Sequence, residues 1–85
     1  MTNIAVKSVQ ALDDYQLNIV FNNNEQGVLD MKPYLNFGVF KRIKDVKVFN
    51  SVSVAFDTVE WDKEIDLDPE FVYQKTYKTQ ENNDK

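Results

Sequence analysis

No cysteine and no histidine occur in this 85-residue chain. The first absence excludes disulfides and thiol nucleophiles and is compatible with a reducing compartment. The second removes the usual general base near neutral pH, and both together remove the common zinc ligands. Glycine is almost missing as well: Gly27 and Gly38 are the only two, too few and too far apart for a phosphate-cradling loop. No apolar run approaches the roughly 18 residues that a membrane span needs. The segment Met1–Lys7 has no basic region leading into a long apolar one, so no signal peptide is expected. Ser8, Ser51 and Ser53 lie in apparent strands without a nucleophile-elbow motif. These absences argue for a cytoplasmic, non-enzymatic chain with no membrane segment and no cofactor.

What is present suits a single small globular domain. Hydrophobic residues make up 42 % and aromatics 13 %, too much for a disordered chain. A chain this short buries only about 60–65 % of its unfolded surface, so its stability margin is modest. The expected domain spans residues 1–73. Residues 74–85 turn polar, with Tyr77 the one aromatic, and read as a little more helix followed by a disordered tail.

Residues 3–12 read as a strand whose apolar phase slips from Ile4 and Val6 to Val9 and Ala11. A bulge near Ser8 explains the slip. Asp13-Asp14 makes a turn. Tyr15, Leu17, Ile19 and Phe21 then alternate with polar Gln16 and Asn18. Asn22-Asn23-Asn24 can take the left-handed backbone of a tight turn, and Gly27, Leu29 and Met31 continue on a third strand. Pro33 ends that meander. Phe40 and Ile43, then Val46 and Phe49, sit three apart, which suits two short helical turns split near Asp45; Val46-Lys47-Val48-Phe49 reads equally as a strand, and helix is favoured because Asp45 can cap it. Val52, Val54 and Phe56 alternate with Ser51, Ser53 and Ala55 on a fourth strand. Thr58–Trp61 forms a fifth, in a hairpin with it. Val59 and Trp61 share the core face, and Thr58, Glu60 and Asp62 point away. Ile65 and Leu67 prolong the period. Asp68-Pro69 starts a helix: the carboxylate can accept an orphan N–H, and proline suits the first helical position. The expected class is α+β: one antiparallel sheet of about five strands, built from a meander, a helical segment and a hairpin, with short helices including a C-terminal one.

Charge is unevenly spread over a net −4. Residues 41–50 hold four bases and one acid; residues 51–73 hold one base and seven acids. An acidic chain is a poor nucleic-acid binder, because affinity rests on phosphate neutralisation. A two-signed surface suits another small protein instead. Lys41, Arg42, Lys44 and Lys47, with Glu60, Asp62 and Glu64, are the candidate partner contacts. The plainer reading makes the basic cluster the wet face opposite Phe40 and Ile43. The acids between Asp57 and Glu70 read first as a solvated strand face and a helix cap. The alternative is a divalent-metal or small-ligand site, although the spacing matches no calcium loop. Trp61, Asp68, Pro69 and Tyr73 are assigned as structural anchors. Tyr15, Phe37 and Tyr73 are assigned to the core, and Tyr34 is left as a pocket candidate.

Trp61 at a strand end, a short polar link and Ile65-Asp66-Leu67-Asp68-Pro69-Glu70-Phe71-Val72-Tyr73 resemble the bacterial family of small domains of unknown function numbered 2442. The segments Tyr15–Phe21, Leu29-Asp30-Met31 and Gly38-Val39-Phe40…Ile43-Lys44-Asp45…Phe49 agree with it in order. Asn22-Asn23-Asn24 replaces that family's usual turn glycine, and Asp57-Thr58 replaces its Asp and Gly before the tryptophan strand. The resemblance implies a small α+β domain, here in the form lacking the DNA-binding module that some members carry after it. Genes for such domains often neighbour a second small protein in an arrangement that looks like a toxin–antitoxin pair. By that likeness this chain is the antitoxin-like partner.

Overall fold

A computed structural model describes residues 4–78. The strands are β1 (Val6–Leu12), β2 (Gln16–Phe21), β3 (Gln26–Asp30), β4 (Ser53–Ala55), β5 (Thr58–Trp61), β6 (Ile65–Asp66) and β7 (Tyr77–Lys78). The α-helices are α1 (Val46–Phe49) and α2 (Pro69–Lys75), and 3₁₀ turns occupy Asp13–Tyr15, Lys32–Tyr34 and Gly38–Lys44. The class is α+β, but the single sheet of about five strands does not form. Two antiparallel sheets replace it. One is the β1–β2–β3 meander, to which the two-residue β7 adds at the far edge of β3; the other is β4–β5–β6. Between them the Val6 N–H donates to the Asp57 carbonyl at 2.9 Å. That bond sits beside the bulge between Val6 and Ser8, where the strand bends and its regular register stops. A seam of this kind does not extend into a ladder.

The meander follows its apolar alternation. Leu17, Ile19 and Phe21 are fully buried, while Gln16, Asn18 and Val20 between them are half-buried. Leu17 lies opposite Leu29, and Ile19 opposite Gly27. The Asn22–Asn24 turn closes with Asn24 at φ 72°, a left-handed conformation that asparagine tolerates. After Met31 the chain turns through Lys32-Pro33-Tyr34, and Asp30 Oδ1 accepts the Lys32 N–H at 3.0 Å.

The second sheet departs from its pattern. Phe56 and Asp57 join β4 to β5 as a two-residue turn, both with positive φ (52° and 70°), as the twist of a tight hairpin demands. Phe56 therefore leaves the strand, and its ring is 94 % exposed; Val54 is exposed too. Thr58 does point away from Val59 and Trp61, yet it is buried. Leu67 crosses over it, and the Thr58 hydroxyl donates to the Leu67 carbonyl at 2.6 Å. Ile65 and Leu67 are both buried, and Ile65–Asp66 pairs with β5 as a sixth strand.

Both sheets face one core. Trp61 is fully buried at its centre, stacked on Phe49 at 6.1 Å, and its indole N–H donates to the Phe49 carbonyl at 3.0 Å. Burying the ring with its one donor satisfied is what makes a tryptophan an anchor rather than a liability. Tyr15 packs edge-on against Phe49, and Tyr73 against Phe21. Tyr34, the pocket candidate, is instead half-buried and packs edge-on against Phe71. Phe37, assigned to the core, is 65 % exposed. Helix α2 starts at Pro69 as expected, but the Asp68 carboxylate makes no capping bond. Proline presets the first turn, and the ladder begins from the Asp68 carbonyl, which accepts the Val72 N–H at 3.0 Å. Past Tyr73 the helix runs on to Lys75, and Tyr77 pairs opposite Val28. Of the tail expected over 74–85, residues 79–85 lie outside the described residues, as do residues 1–3.

Candidate interaction surface

The basic segment is shaped by Gly38 and Asp45. Gly38 takes φ +51°, and a side chain there would meet open space. The chain then winds as a 3₁₀ helix from Gly38 to Lys44. With three residues per turn, positions three apart stack on one stripe. Phe40 and Ile43 share the inward stripe: Ile43 is fully buried and Phe40 packs against the core. Lys41 and Lys44 share a second stripe with Gly38, and Val39 shares the third with Arg42. Asp45 ends this turn in extended conformation and starts α1, its carboxylate accepting the Lys47 N–H at 2.9 Å. The split at Asp45 and its capping role are as the sequence predicts; the first turn is 3₁₀ rather than α.

The four bases have different surroundings. Arg42 forks across the turn that follows Trp61, with Nη1 2.7 Å from Glu64 Oε1 and Nη2 2.8 Å from Asp62 Oδ2. The hydrogen bond to Glu64 raises the guanidinium pKa further above its usual value. Asp62 and Lys63 both have positive φ, and this bend sets Asp62 and Glu64 where Arg42 reaches both. Lys41, Lys44 and Lys47 are exposed, and among the described residues no carboxylate lies within ion-pair distance of them. The Lys44 carbonyl, by contrast, accepts the Tyr15 hydroxyl and ties the segment to the meander. Glu60 stands apart from the Arg42 fork. It is half-buried on β5 opposite Ser53 and Asp66, beside a shallow depression of about 260 Å³ lined also by Ser51, Asp62 and Lys63. Of the seven candidate contacts, then, Arg42, Asp62 and Glu64 meet one another, and Lys41, Lys44 and Lys47 have no ion-pair partner among the described residues.

The remaining acids do not converge. Among the described residues no group of three or more potential metal-ligating side chains could hold an ion. Glu60 and Asp66 are cross-strand neighbours on β5 and β6, but among the described residues no third ligating side chain joins them. Tyr73 donates its hydroxyl to Glu25, and this bond, with burial adding to it, raises the phenol pKa.

Three features had little or no sequence signal. Val39 and Phe37 lie in water beside Gly38, the former 53 % exposed. Phe56 stands at the hairpin tip. A groove of about 430 Å³ runs between the β1–β2 turn and α1, lined by Ala11 to Tyr15, Val46, Phe49 and Asn50. The Asp13-Asp14 turn marks one wall of that groove in the sequence, and Asp14 and Tyr15 both carry positive φ there. Lys32 bridges Asp14 and Asp30 at 3.0 and 3.1 Å, and the bond to Asp14 raises its pKa.

Among the described residues no helix is long and apolar enough to cross a membrane. No curated protein and no solved structure matches the chain. The family model described as Protein of unknown function (DUF2442) matches residues 6–77, the whole of both sheets up to the first residue of β7, and the chain belongs to that family.

Proposed function

We propose that this domain is a non-enzymatic module that binds another small protein in the cytoplasm. The observation that carries this reading is the set of large apolar side chains left in water. Phe37, Val39 and Phe56 are exposed while the core beneath them is filled. Small domains pack apolar residues inward when they can, and aromatic side chains on a rigid surface are the usual anchors of protein interfaces. Lys41, Lys44 and Lys47 follow Phe37 and Val39 in the chain and have no carboxylate within ion-pair distance among the described residues, and they would steer and orient a partner. Family membership supports a finer reading, in which the partner is the small protein encoded next to this one and the domain neutralises it as an antitoxin does.

The test is co-expression with the adjacent gene's product, followed by size-exclusion chromatography with light scattering. A stoichiometric complex that survives dilution to micromolar concentration supports the module. Two separate peaks at that concentration, together with no other partner, would reject it.

A further inference from the structure

Resting on that reading, we infer that the face built by Phe37, Val39, Lys41 and Lys44 docks an acidic, apolar-anchored segment of a partner protein. Four observations converge on it. Phe37 and Val39 flank Gly38, where the surface is open. An apolar side chain from a partner can lie there against both without displacing anything. Lys41 and Lys44 share a stripe of the 3₁₀ helix with Gly38, so they lie on the same side of it as that open position. Among the described residues neither has a carboxylate within ion-pair distance, whereas Arg42 between them is already forked to Asp62 and Glu64. The folded chain thus neutralises one base of this segment and leaves its neighbours uncompensated, and the complement to that arrangement is carboxylate.

The backing is rigid. Ile43 is locked in the core, the Tyr15 hydroxyl holds the Lys44 carbonyl, and Asp45 fixes the start of α1. A preorganised face loses little freedom on binding. Nucleic acid fits it less well. Asp62 and Glu64 reach this region through the Arg42 fork and interrupt a continuous phosphate track, and the chain carries net −4. A protein segment presents its carboxylates locally and avoids that repulsion.

The experiment selects short random peptides displayed on phage against the immobilised full chain, then measures the enriched peptides by fluorescence anisotropy. The expected peptides combine Asp or Glu with Leu, Phe or Trp, and their affinity falls as salt rises. Lys41→Glu with Lys44→Glu, and separately Phe37→Ala, should each weaken binding about tenfold. Lys7→Glu with Lys75→Glu, which makes the same change in net charge elsewhere, should leave it unchanged. Phe37, Lys41 and Lys44 are exposed, so circular dichroism of the variants should match the parent. Peptides that bind but ignore both face variants would overturn this inference while leaving the module intact. An empty selection would overturn this inference, while the module stands or falls on the co-expression test. Binding of a single-stranded oligonucleotide or of phosphatidylserine vesicles that is lost in the double lysine variant, with no peptide enriched, would also overturn this inference and reassign the face to phosphate.

Discussion

The meander and the β4–β6 sheet differ in how far an apolar period reaches the core. In β2 each apolar position of the alternation is fully buried. In β4 no residue is, and Val54 and Phe56 stand in water although their spacing repeats that of β2. The meander has the α2 side chains and the second sheet packed across its apolar face. The edge strand β4 is three residues long and ends in a turn that rotates Phe56 outward. Alternation therefore reports a core face only where another layer covers it. Where none does, the same pattern leaves apolar side chains available to a partner.

The largest effect that would sharpen this contrast is at the point where both sheets meet. Trp61→Ala should cost about 4 kcal/mol, enough to unfold most of a domain this size, because it opens a cavity in the shared core and removes the indole's bond to the Phe49 carbonyl. Urea denaturation followed by circular dichroism measures it. If the loss were below about 1 kcal/mol, the two sheets would not share a core. Thr58→Val comes next. It keeps the shape but removes the hydroxyl that satisfies the Leu67 carbonyl, and should cost about 1–3 kcal/mol. An unchanged midpoint would mean that the carbonyl finds another donor.

Phe56→Asn should act in the opposite direction. Asparagine accepts positive φ where phenylalanine does not, and the exposed ring contributes nothing to the core, so a gain of about 0.5–1 kcal/mol is expected. A loss would place the ring in contact with the fold and remove it from the set of free apolar groups.

The smallest effect is a pH dependence within the meander's contact to α2. The Tyr73 phenol is held above its ordinary pKa near 10, first by its bond to Glu25. Its folded state thus prefers the protonated form. The stability this adds is complete below the unfolded pKa and drains away as pH rises from about 10 through the raised folded value. Tyr73→Phe should lessen the alkaline slope read from thermal midpoints across the range, leaving the share of Lys32, whose pKa is also raised. A slope that persists undiminished would have to come from another group.

Much of this could be read without coordinates. The bulge near Ser8, the three-strand meander, the break at Asp45 and the Pro69 helix start all rest on local periodicity or local backbone preference. The buried positions of Trp61, Ile65 and Leu67 follow from the same rule. What was not legible is non-local. Whether the hairpin joins the meander depends on the geometry of β1 at its bulge, and Thr58 is buried only because Leu67 crosses it. Phe37 leaves the core because Gly38 turns the chain with a left-handed φ, which no spacing rule foresees. For the candidate surface, the sequence indicated the basic cluster and the acids as groups. It could not say that Arg42 alone would be spent on Asp62 and Glu64.

The bond from Val6 to Asp57 also makes one amide a reporter of how the domain opens. Each sheet is assembled chiefly from neighbouring segments, so each can behave as a cooperative unit of its own. The Val6 N–H is protected by neither unit alone. In hydrogen exchange its protection tracks the parting of the two halves, while Ile19 in β2 tracks loss of the meander. A Val6 rate well above that of Ile19 would describe a domain that breathes along its seam before either half melts.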